Sequence, residues 1–341
     1  MFRRQVVAGI AMSTAVTLIG FAVTAGAQTI TGAGATFPAP IYKKWFQTYH
    51  DQNPSVTFNY NACGSGAGIA LYKQGTVFFA ASDAPMNDAD LGSAPPTVQI
   101  PTVAGAVVLS YNVPGVGPGL KLSGDVIADI YEKKITVWND PRIARDNRGV
   151  NLPSTPIFVV HRADGSGTTY IFTSYLSAVS PSWRSGPGAG KSVSWPVGVG
   201  GNGNPGVAVN VAHQPGAIGY LELAYALQNK LAYAHVKNRA GVFVEPTIAT
   251  TTAAAEAGAG RLKADNRTPI VDQPGKDVYP IAGFTYLLIP KAPRDKAQAK
   301  ALVNFVKWAM GPGQAEAPSL NYSPLPKSVL ALNERAIAGL K

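Results

Sequence analysis

His161-Arg162-Ala163-Asp164-Gly165-Ser166-Gly167-Thr168-Thr169 brings an arginine, an aspartate, hydroxyls and glycines into one short run. It follows Pro156-Ile157-Phe158-Val159-Val160, which reads as a buried strand, and precedes Tyr170 to Leu176, which reads as a helix. A strand that turns through Gly and Ser into a helix leaves backbone N–H groups unused, with the positive end of the helix dipole behind them. Such a turn suits an anion, and Arg162 adds a full charge with forked donors.

Two other turns share this chemistry. Thr31-Gly32-Ala33-Gly34-Ala35-Thr36-Phe37 leads into Pro38 and Pro40, which suit the first turn of a helix through Tyr42, Trp45 and Phe46. The amides of Thr36 and Phe37 would stand free at that helix start. Gly64-Ser65-Gly66-Ala67-Gly68 lies between a strand and a short helix. Each turn alone is ordinary turn chemistry; three in one chain, each with a hydroxyl, argue for a shared anion. None carries the phosphate-loop or dinucleotide fingerprint. Ala81-Ser82-Asp83-Ala84-Pro85 adds an acid at a strand end. Beside an anion this acid is unfavourable unless the anion carries a proton for it to accept.

The elements that must position these groups alternate between strand and helix, which predicts an α/β fold with substantially parallel sheets. Strands are expected at 56–62, 77–82, 103–112, 156–161, 217–220 and 283–289. Helices are expected at 38–49, 66–73, 124–132, 168–177, 295–310 and 327–339. The stretch 185–206 reads as a Gly/Pro-rich loop, and 249–260 fits either a helix or a loose excursion.

Arg3 and Arg4 precede a mostly apolar run from Val6 to Val23, and Ala25-Gly26-Ala27 forms a small-residue cleavage site. Residues 1–27 therefore read as a signal peptide removed before Gln28, and the product as an exported, periplasmic protein. No later segment is apolar enough to span a bilayer. The expected mature chain is large enough for two lobes. Residues 1–27 hold two of the 29 basic residues and no acid, so their removal leaves 27 basic against 19 acidic, a net +8. No Lys/Arg cluster marks a nucleic-acid surface, so the charge implies a mild attraction for anions. The lone cysteine, Cys63, excludes an internal disulfide and reads as a buried, inert thiol. The four histidines lack metal-ligand spacing, so no metal and no cofactor are expected.

Taken together, TGAGATFPAPIYKKW (31–45), ASDAP (81–85), RADGSGT (162–168), FTSYL (172–176), PGAIGY (215–220) and NYSPLP (321–326) resemble the periplasmic phosphate-binding proteins of bacterial high-affinity phosphate ABC transporters. The resemblance spans the expected mature chain. It implies an α/β, two-lobed class II (Venus-flytrap) binding protein with mixed sheets flanked by helices. The first lobe would take 28–103 and 282–341, and the second 104–281. It also implies a site. Thr36 and Phe37 would offer amides, with the Thr36 hydroxyl, and Ser65 a hydroxyl and amide. Asp83 would accept a phosphate proton, and Arg162 would donate paired bonds while held by Asp164. Ser166, Gly167 and Thr168 would line the last helix start. Gly66 stands where relatives often carry a second serine, and His161 where another basic residue is common.

The implied function is to bind inorganic phosphate between the lobes and deliver it to the permease and ATPase components of a membrane ABC transporter. The protein would be a monomer with no catalysis and no nucleic-acid partner. A secreted phosphatase using Ser65 or Ser166 is the alternative from another class, but neither serine lies in G-x-S-x-G and no histidine is placed as a base. A receptor for another oxyanion, such as sulfate, is the alternative within the binding class; Asp83 separates the two.

Overall fold

The computed structural model describes residues 27–262 and 267–340. The expected signal peptide lies outside them, apart from Ala27. Among the described residues no helix is long and apolar enough to cross a membrane.

Two lobes share one curled mixed sheet. In spatial order its strands are Val56–Asn61, Gln28–Gly34, Phe79–Ser82, Ala282–Pro290, Thr97–Asn112, Ala217–Glu222, Phe158–Arg162 and Val199–Gly201. The long strand Thr97–Asn112 joins the halves by changing partners. Residues 97–106 pair antiparallel with Ala282–Pro290, and residues 107–112 pair antiparallel with Ala217–Glu222. Parallel pairing is confined to the flanks, around Gln28–Gly34 and Phe158–Arg162. The middle of the sheet is therefore antiparallel, unlike the expectation of mostly parallel strands. Return strands between the halves enter it from opposite ends, a constraint that local periodicity does not carry.

Aromatic packing stiffens each half. Helix Ala39–Gln52 buries Ile41, Tyr42, Trp45, Phe46 and Tyr49, a stripe at helical spacing. Phe58 stacks on Phe46 at 4.9 Å between ring centroids and meets Phe305 of helix Lys296–Met310 at 4.6 Å. In the other half Phe172 stacks on Tyr220 at 4.3 Å and meets Tyr131 at 4.8 Å. These rigid halves carry the turns that end the parallel strands.

The expected strands and helices all form, with shifted ends. The expected 77–82 strand begins at Phe79, and the expected 103–112 strand begins at Thr97. The glycines of 31–34 end a strand instead of forming a loop. The Gly/Pro stretch contains strand Val199–Gly201 and opens helix Gly203–His213, while 249–260 lies in helix Ile248–Leu262. Cys63 is half-buried rather than buried and sits past the strand end, with burial pushing its thiol up.

Candidate anion-binding site

The three turns meet at one place. Thr36 and Phe37 follow strand Gln28–Gly34, and Ser65 opens helix Ser65–Lys73 after Gly64, whose φ of 94° suits glycine. Asp83 follows strand Phe79–Ser82. From the other half, Arg162 ends strand Phe158–Arg162, and Ser166 caps helix Gly167–Val179 by accepting the Thr169 N–H at 3.0 Å. All lie beyond the carboxyl ends of parallel strands, where open α/β sheets form clefts.

Contacts cross the cleft directly. The Gly66 N–H donates to Gly165 O at 2.7 Å. Ser65 Oγ accepts the Gly167 N–H at 3.1 Å and the Asp83 N–H at 3.3 Å. A Cβ on Gly167 would lie 2.5 Å from Asp83 Oδ2 and 2.6 Å from Ser65 Oγ, so the approach requires glycine. The N–H groups of Thr36 and Phe37 have no acceptor among the described residues. They remain available as donors at the start of helix Ala39–Gln52.

Arg162 is almost fully buried. Its Nε donates to Asp164 Oδ1 at 2.7 Å, its Nη2 to Asp164 Oδ2 at 2.5 Å, and its Nη1 to Thr168 Oγ1 at 3.2 Å. This fork fixes the guanidinium plane. Burial pushes the Asp164 carboxyl up, but the hydrogen bonds and charge of Arg162, with the Gly203 N–H, outweigh it and hold the carboxyl below its usual value. Asp83 goes the other way. Burial raises its carboxyl to about 7, although the Thr285 hydroxyl, at 2.8 Å from Oδ1, and the charge of Arg162 both oppose the rise. The site thus joins a fixed cation and many donors to the buried carboxyl of Asp83, which takes or gives a proton near neutrality.

Every residue expected at the site from the sequence lies in this cluster: Thr36, Phe37, Ser65, Asp83, Arg162, Asp164, Ser166, Gly167 and Thr168. His161 does not join it. Neighbours on a strand face opposite ways, and its ring stacks on Trp195 at 4.9 Å. Several participants escaped the sequence reading. Asn204 binds the hydroxyls of Thr36 and Thr168. Tyr225 donates to Thr36 O at 2.6 Å, and Tyr322 donates to Phe37 O at 2.6 Å. The Tyr322 hydroxyl also lies 3.1 Å from Oε2 of buried Glu222; burial first, then the Asp83 charge, pushes the Glu222 carboxyl well above the usual range, so it can hold a proton to share with Tyr322. Asn202-Gly203-Asn204-Pro205 did carry a signal, an Asn cap followed by Pro inside a helix start. The others are tyrosines and an acid distant in sequence, which only the fold brings near.

Comparison with known proteins places the chain among relatives. Residues 21–312 match the PBP superfamily domain. The phosphate-binding protein PstS of Pasteurella multocida is 44% identical over 321 residues, covering 94% of this chain and 93% of that protein. The fold is similar to that of a high-affinity periplasmic phosphate-binding protein, PfluDING, solved with bound phosphate (TM-score 0.69, 23% identity, 92% of this chain and 99% of that one). It is also similar to an ABC-type phosphate transport receptor from Vibrio cholerae (TM-score 0.55, 18% identity, 87% and 100% covered). Sequence identity over nearly the full length of both chains, with the shared two-lobed fold, shows that the chain belongs to the PstS family of phosphate-binding proteins within the PBP superfamily.

Proposed function

We propose that the protein binds inorganic phosphate in the cleft between its lobes and hands it to a membrane ABC importer without covalent chemistry. Supporting this are relatives named for phosphate binding and a shared fold solved with phosphate in place. The observation that carries it is the convergence of the Arg162–Asp164 fork, free amides and buried hydroxyls with the buried carboxyl of Asp83. In this reading Thr36, Phe37, Ser65, Arg162, Ser166 and Thr168 donate to phosphate oxygens, while Gly167, whose N–H goes to Ser65 Oγ, lines the helix start beside them. Asp83 accepts the phosphate proton, and Asp164 holds Arg162.

The lobes are assigned to 28–103 with 282–341, and to 104–281. The partner exchange along Thr97–Asn112 supports a crossing within that strand. The mature form is a periplasmic monomer, cleaved after Ala27, and its partners are the permease and ATPase of the importer. Hydrolysis is disfavoured because both lone pairs of Ser65 Oγ take backbone N–H groups, and no described base accepts its proton.

Isothermal titration of the mature protein with phosphate, sulfate and arsenate tests the reading. Tight phosphate binding, arsenate as nearest competitor and weak sulfate are expected, because a buried carboxylate facing a fully deprotonated oxyanion lacks a hydrogen bond and repels it. Equal affinity for sulfate and phosphate, or release of phosphate from a chromogenic ester, overturns it.

A further inference from the structure

Asn204 occupies an unusual position, fully buried at the start of helix Gly203–His213, between hydroxyls from both lobes. Its Nδ2 donates to Thr36 Oγ1 at 2.9 Å and to Thr168 Oγ1 at 3.2 Å, while its backbone N–H also donates to Thr36 Oγ1 at 3.1 Å. Its Oδ1 accepts the Glu222 N–H at 2.9 Å. A backbone N–H can only donate, so this last bond fixes which end of the amide is oxygen and which is nitrogen.

A hydroxyl has two acceptor lone pairs and one proton. Thr36 Oγ1 takes both its accepted bonds from Asn204. Thr168 Oγ1 takes one from Asn204 and one from Arg162 Nη1. With both lone pairs engaged, each oxygen can only donate its remaining proton outward. Among the described residues no acceptor takes either proton. Both threonines are buried, at 4% and 0% exposure, so water does not readily serve them. A buried hydroxyl proton needs an acceptor, and the cleft is where an anion would supply one.

We infer that Asn204 is a positioning residue for specificity: it turns the Thr36 and Thr168 hydroxyls into obligate donors, so that a ligand proton cannot be taken by either threonine and is directed to Asp83. The inference rests on the phosphate-binding reading and deepens it. The preferred ligand is a tetrahedral oxyanion carrying one proton; a second proton directed at Thr36 or Thr168 would face a donor. The same rule shapes Ser65, whose oxygen accepts two backbone N–H groups. The charged and titratable groups around Asn204 are Glu222 and Tyr225 beside it, Arg162 and Asp164 beyond Thr168 and Gly203, and Asp83 across the cleft. All are unchanged in the variants below.

The test is phosphate affinity of wild type, Asn204→Ala and Asn204→Asp across the pH range where phosphate changes from two protons to one. Alanine frees one lone pair on each threonine, so either hydroxyl can then accept a second ligand proton. Asn204→Ala should bind about tenfold more weakly on the alkaline side, and its affinity should fall less steeply toward acid than that of wild type. Asn204→Asp keeps the shape and the bond to the Glu222 N–H but turns a donor into acceptors, and should lose on the order of a hundredfold. Part of that loss should return as the new carboxyl protonates in acid. If Asn204→Ala does not fold, Asn204→Ser, too short to reach both hydroxyls, carries the same comparison. Profiles of the neutral variant and wild type that run parallel at every pH would show a packing role only and overturn the inference while leaving phosphate binding intact. Absence of phosphate binding by wild type overturns the reading beneath it.

Discussion

Arg162 and Asp83 have opposite electrostatic settings. Arg162 is buried with its charge balanced by Asp164, so its fork is in place before any ligand arrives. Arg162→Ala should weaken phosphate binding by about 1.5–3 kcal/mol, the range for a hydrogen bond to a charged group. Titration calorimetry on protein with an unchanged circular dichroism spectrum checks this. Unaltered affinity would mean that the pair serves only the fold. Asp83 is buried with its charge poorly balanced, and its carboxyl titrates near 7 against an ordinary 3.8. The folded state therefore holds this proton more tightly than the unfolded chain. The stabilisation is complete below the ordinary value and is lost as pH rises through the folded one. Asp83→Asn should consequently lose less thermal stability than wild type when the unliganded protein is taken from acid to alkaline pH. It should also bind sulfate better relative to phosphate, because an amide donates to a deprotonated oxygen. Identical pH dependence of melting in the two proteins would show that Asp83 is not the group responsible.

The start of helix Gly167–Val179 and the end of strand Phe79–Ser82 approach each other because Gly167 has no side chain. Within the helix itself alanine is preferred to glycine, so Gly167→Ala costs nothing locally. The added methyl meets Asp83 and Ser65 of the other half, so its cost falls on the approach of the two halves. Gly167→Ala should thus keep or slightly raise the melting temperature of the free protein and weaken phosphate binding by about tenfold or more. A loss of melting temperature matching the loss of affinity would place the clash within a lobe instead. A bulge serves the same cleft. In the pairing of Ala282–Pro290 with Thr97–Asn112, Thr285 lies opposite Val103 and Tyr286 opposite Pro101, leaving Thr102 as the extra residue. Pro101 has no N–H for the ladder, which suits an irregularity there. Thr285 beside this bulge reaches Asp83.

Across the whole molecule, ion pairs connect the halves at the mouth of the cleft. Lys191 Nζ lies 2.8 Å from Asp90, and Arg267 pairs with Asp88. They are partly exposed and form only between the halves, so they favour the closed arrangement weakly and in a salt-dependent way. Lys191→Ala should reduce phosphate affinity by about 1 kcal/mol or less at low ionic strength. The difference from wild type should vanish at high ionic strength. A salt-independent loss would point to the Lys191 backbone, whose carbonyl holds the Ser166 N–H, rather than to the ion pair.

The sequence by itself determined the donors. Arg162, Ser166 and the glycines of their turn follow an apolar strand and precede a helix, and local physics alone makes that junction electropositive. It also determined most elements, because the aromatic stripe of Ala39–Gln52 and the alternation of strand and helix are local patterns. The antiparallel middle of the sheet was not legible, since pairing between residues near 100 and near 285 is set by topology rather than period. Asn204 was visible as a letter in a glycine-rich stretch but not as a bridge. Its neighbours Thr36 and Thr168 lie 168 and 36 residues away in the chain. The acceptor side of the site likewise belongs to the tertiary structure. Asp83 is an ordinary strand-end acid until Phe79–Ser82 is buried between its neighbours and Gly167 closes over it. Only then does desolvation lift its carboxyl to neutrality.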